Sequence, residues 1–201
     1  PEGYARNPEL VINFYNERRK QLLDVVPNAG HLGVADLERD FNVTVVTQNV
    51  DNLHERAGST RVIHLHGELT KVCSSRDPYN PHFIKELKPE EYEVKLGDKA
   101  GDGSQLRPFI VWFGEAVPEI ETAVKYVEKA DIFVIIGTSM NVYPAAGLLH
   151  YVPRAAEVYL IDPKPVDTHV MRPIHVIRKG ASEGVKELKA SLADTPRSSS
   201  L

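Results

Sequence analysis

A cluster of amide and carboxylate side chains follows one predicted strand of this chain. The run Thr47–Asp51 reads Thr-Gln-Asn-Val-Asp and comes directly after the β-branched residues 43–46. Gln48, Asn49 and Asp51 can bind a carboxamide or sugar hydroxyls, and open α/β sheets place such ligand groups at the carboxyl ends of strands. The same residue types also form turns whose side chains cap the backbone. The run alone therefore leaves a ligand site and a structural turn both open.

A histidine follows the next predicted strand and is expected at the same edge of the sheet. His66 precedes Gly67 and lies fifteen positions beyond Asp51. Because the pKa of histidine is near neutrality, this side chain is a candidate general base. His64, on the same face of the strand, is the alternative candidate. Either histidine can instead form a local hydrogen bond at a strand end, so the spacing alone does not decide between a base and a structural residue.

Small and hydroxyl-bearing residues follow a further predicted strand. Residues 132–136 read Ile-Phe-Val-Ile-Ile, and Gly137, Thr138 and Ser139 come directly after them. Free backbone amides and hydroxyls at this position suit phosphate or ribose contacts, although a tight structural turn has the same composition. Asp162 ends the strand after that, where a carboxylate commonly accepts hydrogen bonds from ribose hydroxyls. These residues favour a nucleotide site at the carboxyl edge of the sheet.

The elements that must position these residues alternate along the chain. Apolar residues at helical spacing predict a helix over Pro8–Leu23 and a second helix from about Pro27 to Asp40. A third helix is predicted over 119–130, before the fully apolar run that is typical of a strand covered by helices on both faces. The alternation predicts an α/β fold, a Rossmann-like doubly wound parallel sheet. The predicted strands are 43–46, 61–65, 109–112, 132–136 and 158–161.

Length and composition indicate one domain. The chain has 201 residues, of which 42% are hydrophobic and 26% charged, which is enough for one sizeable core. Residues from about 71 to 107 are rich in proline and glycine and predict a small, loop-rich insertion. The last residues, 195–201, have the composition of a disordered tail. We therefore predict a single domain over 1–194.

Charge and cysteine content exclude several classes of function. A formal net charge of -4 gives no general polyanion-binding surface, so nucleic acid is not an expected partner. Because the chain has no apolar run of membrane-spanning length and no signal segment, we expect no membrane partner and a cytoplasmic location. Cys73 is the single cysteine, which excludes an intrachain disulfide and a site of several thiolates.

Taken together and in order, these motifs resemble the sirtuin family along most of its catalytic domain. Several ordered motifs are far more specific than any one of them. The resemblance implies an NAD-dependent protein-lysine deacylase that releases nicotinamide and O-acyl-ADP-ribose. The matching segments are Pro27-Asn28-Ala29-Gly30-His31, Thr47-Gln48-Asn49-Val50-Asp51 with Leu53-His54 and Ala57-Gly58, Leu65-His66-Gly67, Val111-Trp112-Phe113-Gly114-Glu115, and Gly137-Thr138-Ser139.

The resemblance also implies a role for each matching residue. His66 would be the general base that activates a ribose hydroxyl after the acyl-lysine oxygen has attacked the nicotinamide ribose. Two segments would flank the backbone of an acyl-lysine protein or peptide by strand addition, Phe113-Gly114-Glu115 and Val142-Tyr143. Asp162 stands where the family commonly has asparagine. The implied NAD-binding residues are Gln48, Asn49, Asp51, Gly137, Thr138, Ser139, Asp162 and Ala181.

The first helix resembles the segment of the desuccinylase branch that carries Tyr-x-x-Arg. Tyr15 and Arg18 are three positions apart and so share one helix face. A phenol and a guanidinium together can bind a carboxylate, which would favour a succinyl or malonyl group over an acetyl group. Such a pair on an exposed helix is also a common structural feature. The resemblance to the desuccinylase branch favours the functional interpretation.

Two features depart from the family. Most members hold a structural zinc with two Cys-x-x-Cys pairs, whereas Cys73 stands alone, so we predict no zinc. The family's first strand and glycine-rich NAD loop do not precede Pro1, and without that loop the alternatives are an ADP-ribosyltransferase or a non-catalytic module that binds ADP-ribose or an acylated peptide. In place of zinc, the insertion is predicted to be held by packing of Tyr79, Phe83, Ile84, Leu87, Tyr92, Val94 and Leu96.

Overall fold

The structure is a computed structural model that describes residues 1–137, 145–166 and 170–194. Within these ranges no helix is long and apolar enough to cross a membrane. The helices are α1 (Glu2–Arg6), α2 (Pro8–Leu23), α3 (Ala29–Asp36), α4 (Leu53–Ala57), α5 (Ile120–Val127), α6 (Ala145–Leu148) and α7 (Ala181–Ala193). The strands are β1 (Val45–Thr47), β2 (Val62–His64), β3 (Gly67–Ser74), β4 (Lys85–Glu86), β5 (Leu106–Ile110), β6 (Ile132–Ile136), β7 (Glu157–Ile161) and β8 (His175–Ile177).

The chain folds as two compact units that interleave along the sequence. The first unit contains Pro1–Val26, Val46–Leu53 and Val62–Glu119. The second contains Pro27–Val45, His54–Arg61 and the described residues from Ile120 onward. The single domain over 1–194 stays a prediction, and each unit has a hydrophobic core of its own.

Helix α2 begins and ends where the sequence predicts. The side chain of Asn7 accepts a hydrogen bond from the Leu10 amide at 3.1 Å, and Pro8 stands at the first helical turn, where its missing N–H costs nothing. The buried face of the helix includes Asn16, which donates to the Val94 carbonyl at 2.8 Å and accepts from the Val94 amide at 2.9 Å. A buried amide that is satisfied in this way joins α2 to the 71–107 segment.

The 71–107 segment has more regular structure than the sequence predicts. Strand β3 pairs antiparallel with β4 on one side and β5 on the other. Its Val72 packs with Ile12 and Val94 in one buried cluster. The predicted contribution of Leu96 to this packing is wrong, because the side chain is 55% exposed beside a surface turn where Asp98 accepts from the Lys95 amide.

A cluster of hydroxyls around one carboxylate joins the end of β3 to the loop before β5. Ser74 and Ser104 donate to the two oxygens of Asp102 at 2.5 and 2.6 Å. The Ser74 oxygen in turn accepts from the amides of Arg76 and Asp77 at 3.1 and 2.9 Å. Hydrogen bonds from Ser104 and Ser74 lower the pKa of Asp102 to about 2. The Ser74–Asp102–Ser104 cluster is therefore charged and fully hydrogen-bonded at neutral pH.

The second unit is built on a parallel sheet in the order β6-β7-β8. Helices α3 and α7 contribute Val34, Val185 and Leu188 to the core that covers β7. The two helices approach closely, since a Cβ on Gly33 would lie 2.7 Å from the Val185 side chain. Lys189 and Asp36 form an ion pair between the same helices.

Strand β6 corrects one expectation from the sequence. Residues 132–136 form the predicted strand, but each of the five is only partly buried. The reason is position, because β6 is an edge strand that pairs only with β7 within the described part of the chain. A fully apolar run therefore marks the strand correctly without showing how many of its faces are covered.

The largest shift among the predicted strands is at a strand that contains a proline. The sequence predicts a strand over 109–112, whereas β5 runs from Leu106 to Ile110 and contains Pro108. Proline lacks an N–H and is confined to edge strands, and β5 is an edge of the sheet β4-β3-β5. Strand β1 ends one residue beyond the predicted 43–46, and β2 lies inside the predicted 61–65.

Candidate active site

The Thr47–Asp51 run forms a loop, and its own side chains accept hydrogen bonds that hold it in place. Thr47 Oγ1 accepts from the Asn49 amide at 3.0 Å, and Asp51 Oδ1 accepts from the Leu53 amide at 3.0 Å at the start of α4. The Val50 carbonyl accepts from the Leu69 amide at 2.7 Å. Asp51 is thus a helix cap, as the structural interpretation of the run predicts, and its capping role orients the loop.

Gln48 and Asn49 are the side chains of this loop that the turn itself does not use. Gln48 is half-buried, and its Oε1 is buried with no hydrogen-bond partner among the described residues. Asn49 is exposed and bonds to the loop through its main chain. An unsatisfied buried amide oxygen is costly, so Gln48 is suited to accept a hydrogen bond from a ligand hydroxyl.

The predicted meeting of this loop with His66 is present in the structure. Strands β1 and β2 are paired, and the amide of Leu65 donates to the carbonyl of Thr47 at 3.0 Å. Gln48 and His66 therefore follow directly from neighbouring strands. The His66 ring is half-buried, and burial lowers its pKa below the ordinary value of 6.5. A neutral imidazole at this position can accept a proton at physiological pH.

Gly67 shows why a glycine must follow His66. Its φ is +90°, a conformation that strongly favours glycine. A Cβ at this position would collide with the Phe109 carbonyl and lie 2.9 Å from the Ile110 Cα. Gly67 pairs with Ile110 at an irregular point in the β3–β5 ladder, and the Val111 amide donates to the His66 carbonyl at 2.9 Å. The bend at Gly67 therefore sets the orientation of the histidine before it.

His64 has a structural role. It is 7% exposed, its Nδ1 lies 3.1 Å from the Asn49 carbonyl, and its Nε2 lies 3.8 Å from Glu68. The contact with the Asn49 carbonyl helps to hold the Thr47–Asp51 loop in place. Of the two candidate histidines, His66 is therefore the one with a partly exposed ring.

Tyr15 and Arg18 lie in the same unit as His66, on α2. Tyr15 packs with Val50 against the cluster formed by Leu22, Leu53 and Leu69. The Arg18 guanidinium is exposed and stands 5.1 Å from the centre of the Phe14 ring, with no ion pair to any residue that the structure describes. The structure therefore brings Tyr15 close to the Gln48–Asp51 loop and leaves the charge of Arg18 unpaired.

The Phe113–Glu115 segment divides into an exposed part and an anchored part. Phe113 is fully exposed, and Gly114 has a φ of +85°. Glu115 is anchored by Arg107, whose two terminal nitrogens each lie 3.2 Å from its carboxylate. Burial opposes ionisation of Glu115, but hydrogen bonds from Arg107 and the Trp112 amide, together with the Arg107 charge, keep its pKa below the ordinary value. Glu115 therefore anchors the segment, and the segment exposes the Phe113 side chain to solvent.

The remaining candidate residues belong to the second unit. Gly137 (φ +61°) and Asp162 follow the neighbouring parallel strands β6 and β7, and so end at one edge of that sheet. The Asp162 carboxylate accepts from the Lys164 amide at 2.8 Å. Ala181 is the first residue of α7. It lies so close to Gly30 that a Cβ added to Gly30 would contact the Ala181 side chain. Thr138, Ser139, Val142 and Tyr143 lie outside the described residues.

Cys73 has the surroundings of a packing residue. Its side chain is fully buried in β3, and its Sγ lies 3.7 Å from the Pro108 carbonyl. Burial raises the pKa of the thiol to about 11. Metal binding requires the thiolate, which such burial disfavours. The absence of zinc stays a prediction, and the chemistry of Cys73 agrees with it.

Three residues that sequence reasoning did not single out support this site. Trp112, within a quoted motif, donates through Nε1 to the Tyr15 hydroxyl at 3.0 Å. Arg107 stacks on the Trp112 ring at 3.9 Å, and Arg19, buried next to Arg18, donates hydrogen bonds to main-chain carbonyls. The only signal in the sequence was the single tryptophan, because buried arginines are not recognisable from their neighbours.

The amino-acid sequence of this chain is similar to those of known proteins. The model of the Sir2 family matches residues 1–144. An NAD-dependent protein deacylase of Bacteroides thetaiotaomicron is 83% identical over 196 residues, which cover 98% of this chain and 84% of the relative. An NAD-dependent protein deacylase of Helicobacter pylori is 45% identical over 194 residues, covering 96% of this chain and 82% of the relative.

Solved structures show the same likeness in three dimensions. A Sir2 homologue in complex with ADP-ribose has a TM-score of 0.80 and 34% identity, covering 98% of this chain and 80% of the other. A Sir2 homologue in complex with NAD has a TM-score of 0.78 and 36% identity, covering 96% and 76%. A Sir2 complex with a p53 peptide and NAD⁺ has a TM-score of 0.76 and 27% identity, covering 96% and 82%.

Proposed function

The chain belongs to the Sir2 family and is an NAD-dependent protein deacylase, and we propose that it prefers lysines carrying a succinyl or malonyl group. The observation that carries the acyl preference is the exposed Arg18 guanidinium, which has no acidic partner within the described ranges. A cation held over an aromatic ring and left unpaired is suited to an anionic ligand.

Bound NAD supplies the electrophilic ribose carbon and the nicotinamide leaving group. We propose that Gln48, Asn49, Asp51, Gly137, Asp162 and Ala181 bind it, with Thr138 and Ser139. The unpaired buried Oε1 of Gln48 fits this cofactor, because each ribose of NAD carries hydroxyl donors. Asp51 contributes by capping α4, which holds the loop that carries Gln48 and Asn49.

His66 performs the proton transfer in this proposal. Its half-buried ring is kept neutral by burial and is oriented by the bend at Gly67. A neutral imidazole can remove a proton from a ribose hydroxyl and later return it to the leaving lysine. Because general-base catalysis contributes about 10²–10⁴-fold, removing the ring is expected to abolish most turnover.

The polypeptide substrate is proposed to lie along Phe113-Gly114-Glu115, with Val142-Tyr143 on its other side. Phe113 presents an exposed aromatic ring from a segment that Arg107 and Glu115 hold rigidly. Binding through main-chain hydrogen bonds would make sequence preference weak and leave selectivity to the acyl group.

The acyl preference is proposed to arise from Arg18 and Tyr15 together. Arg18 supplies charge, and Tyr15 supplies a neutral hydroxyl from the same helix. Acetyl-lysine has no carboxylate, so it gains nothing from either group. A charge-assisted hydrogen bond contributes about 1.5–3 kcal/mol, which corresponds to at least about tenfold in kcat/KM.

Competition between acyl peptides tests the proposal. The protein is incubated with NAD and one peptide carrying an acetyl, succinyl or malonyl group, and products are followed by mass spectrometry. We expect O-acyl-ADP-ribose and nicotinamide, faster turnover of the two acidic acyl groups, and loss of turnover in His66→Ala. Arg18→Met should remove the preference, whereas Lys20→Met, which removes an exposed charge from the same helix, should keep it.

Other outcomes would point elsewhere. Equal kcat/KM for acetyl and succinyl peptides would overturn the acyl preference while leaving the deacylase assignment intact. Transfer of ADP-ribose to protein, or NAD binding with no turnover, would overturn the proposed reaction itself.

A further inference from the structure

The one tryptophan of the chain lies against the helix that carries Tyr15 and Arg18. Its Nε1 is 3.0 Å from the Tyr15 hydroxyl oxygen. An indole N–H donates and cannot accept, so the direction of this hydrogen bond is fixed. The Tyr15 oxygen is therefore the acceptor.

This bond determines where the Tyr15 proton points. A phenolic O–H lies near the plane of its ring, because the oxygen lone pair conjugates with the ring. When one in-plane side of the oxygen accepts from Trp112, the O–H is directed to the other side. Residues 1–137, 145–166 and 170–194 provide no acceptor for that proton. Within these ranges, Tyr15 thus presents a hydrogen-bond donor that is free to bind a ligand.

Trp112 is itself held from several directions. The Arg107 guanidinium stands 3.9 Å from the centre of the indole, and Arg107 is only 5% exposed. Glu115 pairs with Arg107 and also accepts from the Trp112 amide at 2.8 Å. The Tyr4 ring lies 5.3 Å from the indole. These contacts leave the indole N–H with one stable direction, toward Tyr15.

We infer that Trp112 is a positioning residue for acyl selectivity, which sets the Tyr15 hydroxyl as a donor to the carboxylate of a succinyl or malonyl group. The inference rests on the proposed preference for acidic acyl groups. Without the indole donor, the Tyr15 proton also occupies the side facing the ring at position 112, and fewer molecules have it aligned with the ligand. Acetyl-lysine has no carboxylate to receive this proton, so the alignment acts on one substrate class.

Trp112→Phe tests the inference because it removes the N–H donor and keeps a smaller aromatic ring for Arg107 and Tyr4. Steady-state kinetics with succinyl and acetyl peptides give the ratio of the two kcat/KM values. We expect this ratio to fall about five- to tenfold in Trp112→Phe. In a Tyr15→Phe background the same change should have no further effect on the ratio, because the acceptor is already gone. Thermal unfolding checks that each variant is folded.

Fluorescence provides a second measurement that needs no variant at position 112. Because Trp112 is the single tryptophan, the emission reports the surroundings of one indole, which include the Tyr15 hydroxyl. With NAD present, succinyl peptide should shift the emission of the wild-type protein more than acetyl peptide does, and Tyr15→Phe should remove the difference. Equal shifts for both peptides would overturn the inference.

The kinetic outcomes separate the two proposals. If the wild-type protein turns over both acyl groups equally, the acyl preference fails, and the role of Trp112 fails with it. If the wild-type protein prefers succinyl peptide and Arg18→Met loses the preference while Trp112→Phe keeps the ratio, only the role of Trp112 is overturned. A change in both kcat/KM values by the same factor would show a structural role and also overturn the inference.

Discussion

Arg18 and Arg19 are neighbours on α2 with opposite environments. Arg18 is exposed over Phe14, whereas Arg19 is 3% exposed and donates to the Tyr92 carbonyl at 2.7 Å and the Leu69 carbonyl at 3.3 Å. Burial lowers the pKa of Arg19 to about 10, which still leaves it charged at neutral pH. A helix turns each successive side chain by about 100°, so one of two adjacent arginines is buried while the other is exposed.

Arg19→Met is expected to destabilise the protein. The substitution leaves buried carbonyls without their donor, and a loss of about 3 kcal/mol in the free energy of unfolding is typical of such a change. Urea unfolding followed by circular dichroism measures the loss. Arg18→Met is the matched control and should stay within about 0.5 kcal/mol of wild type, as exposed substitutions do. Equal losses in the two variants would contradict the assignment of roles.

The lowered pKa of His66 predicts how kcat/KM depends on pH. Burial lowers its pKa below 6.5, so the neutral form, which is the proposed base, persists to more acidic pH than that of a free histidine. The acidic limb of the kcat/KM profile should therefore have its midpoint below pH 6.5. Initial rates with succinyl peptide between pH 5 and pH 8, in buffers of constant ionic strength, measure it. A midpoint at or above 6.5 would contradict this prediction.

At the scale of elements, short connections do much of the positioning. Asp51 caps α4 and so holds the loop with Gln48, and Gly67 bends the start of β3 so that His66 precedes it in a defined direction. The Ser74–Asp102–Ser104 cluster joins the far end of β3 to the loop before β5. The loop after β1 and both ends of β3 are therefore held by side-chain hydrogen bonds or by a glycine.

Asp102→Asn tests the contribution of the cluster. The folded pKa of Asp102, about 2, lies below its ordinary value of 3.8. Because the folded value is depressed, the stabilisation is fully present above pH 3.8 and is lost as the pH falls toward 2. Asp102→Asn should lower Tm by several degrees at pH 7, and the difference from wild type should shrink in acid. Glu90→Gln, an exposed change in the same segment, is the control. Calorimetry that shows the same Tm for both variants at pH 7 would argue against the cluster.

At the scale of the whole molecule, each unit is held by packing of its own. The first unit combines the Ile12–Val72–Val94 cluster with the Asn16 and Arg19 hydrogen bonds, and the second packs α3 and α7 over β7. In the first unit, these contacts and the Ser74–Asp102–Ser104 cluster hold the segment where most family members have a zinc site. Cys73 contributes a buried, protonated thiol.

A metal measurement tests this account. We expect elemental analysis of the purified protein to find zinc far below one atom per chain, and we expect EDTA to leave Tm and turnover unchanged. The reason is that a single buried thiol cannot supply a tetrahedral zinc site. Zinc near one atom per chain, or unfolding on addition of EDTA, would refute the prediction.

The order of local motifs determined the family and most of the candidate site. His66-Gly67 and the Thr47–Asp51 run each follow a strand, and pairing of β1 with β2 brings them together as the alternation of elements predicts. Helix α2 was predictable to the residue, because its Asn7 cap and Pro8 are local signals. Local signals depend on near neighbours in the chain, which the sequence shows directly.

Tertiary structure alone distinguished the surroundings of side chains that the sequence presents as equivalent. It separated His66 from His64 and Arg18 from Arg19, because burial depends on residues far away in the chain. It showed the β4-β3-β5 sheet and, within the described residues, the edge position of β6, since strand pairing is a long-range property. The bond from Trp112 to Tyr15 joins positions 97 residues apart, so no local pattern could predict it.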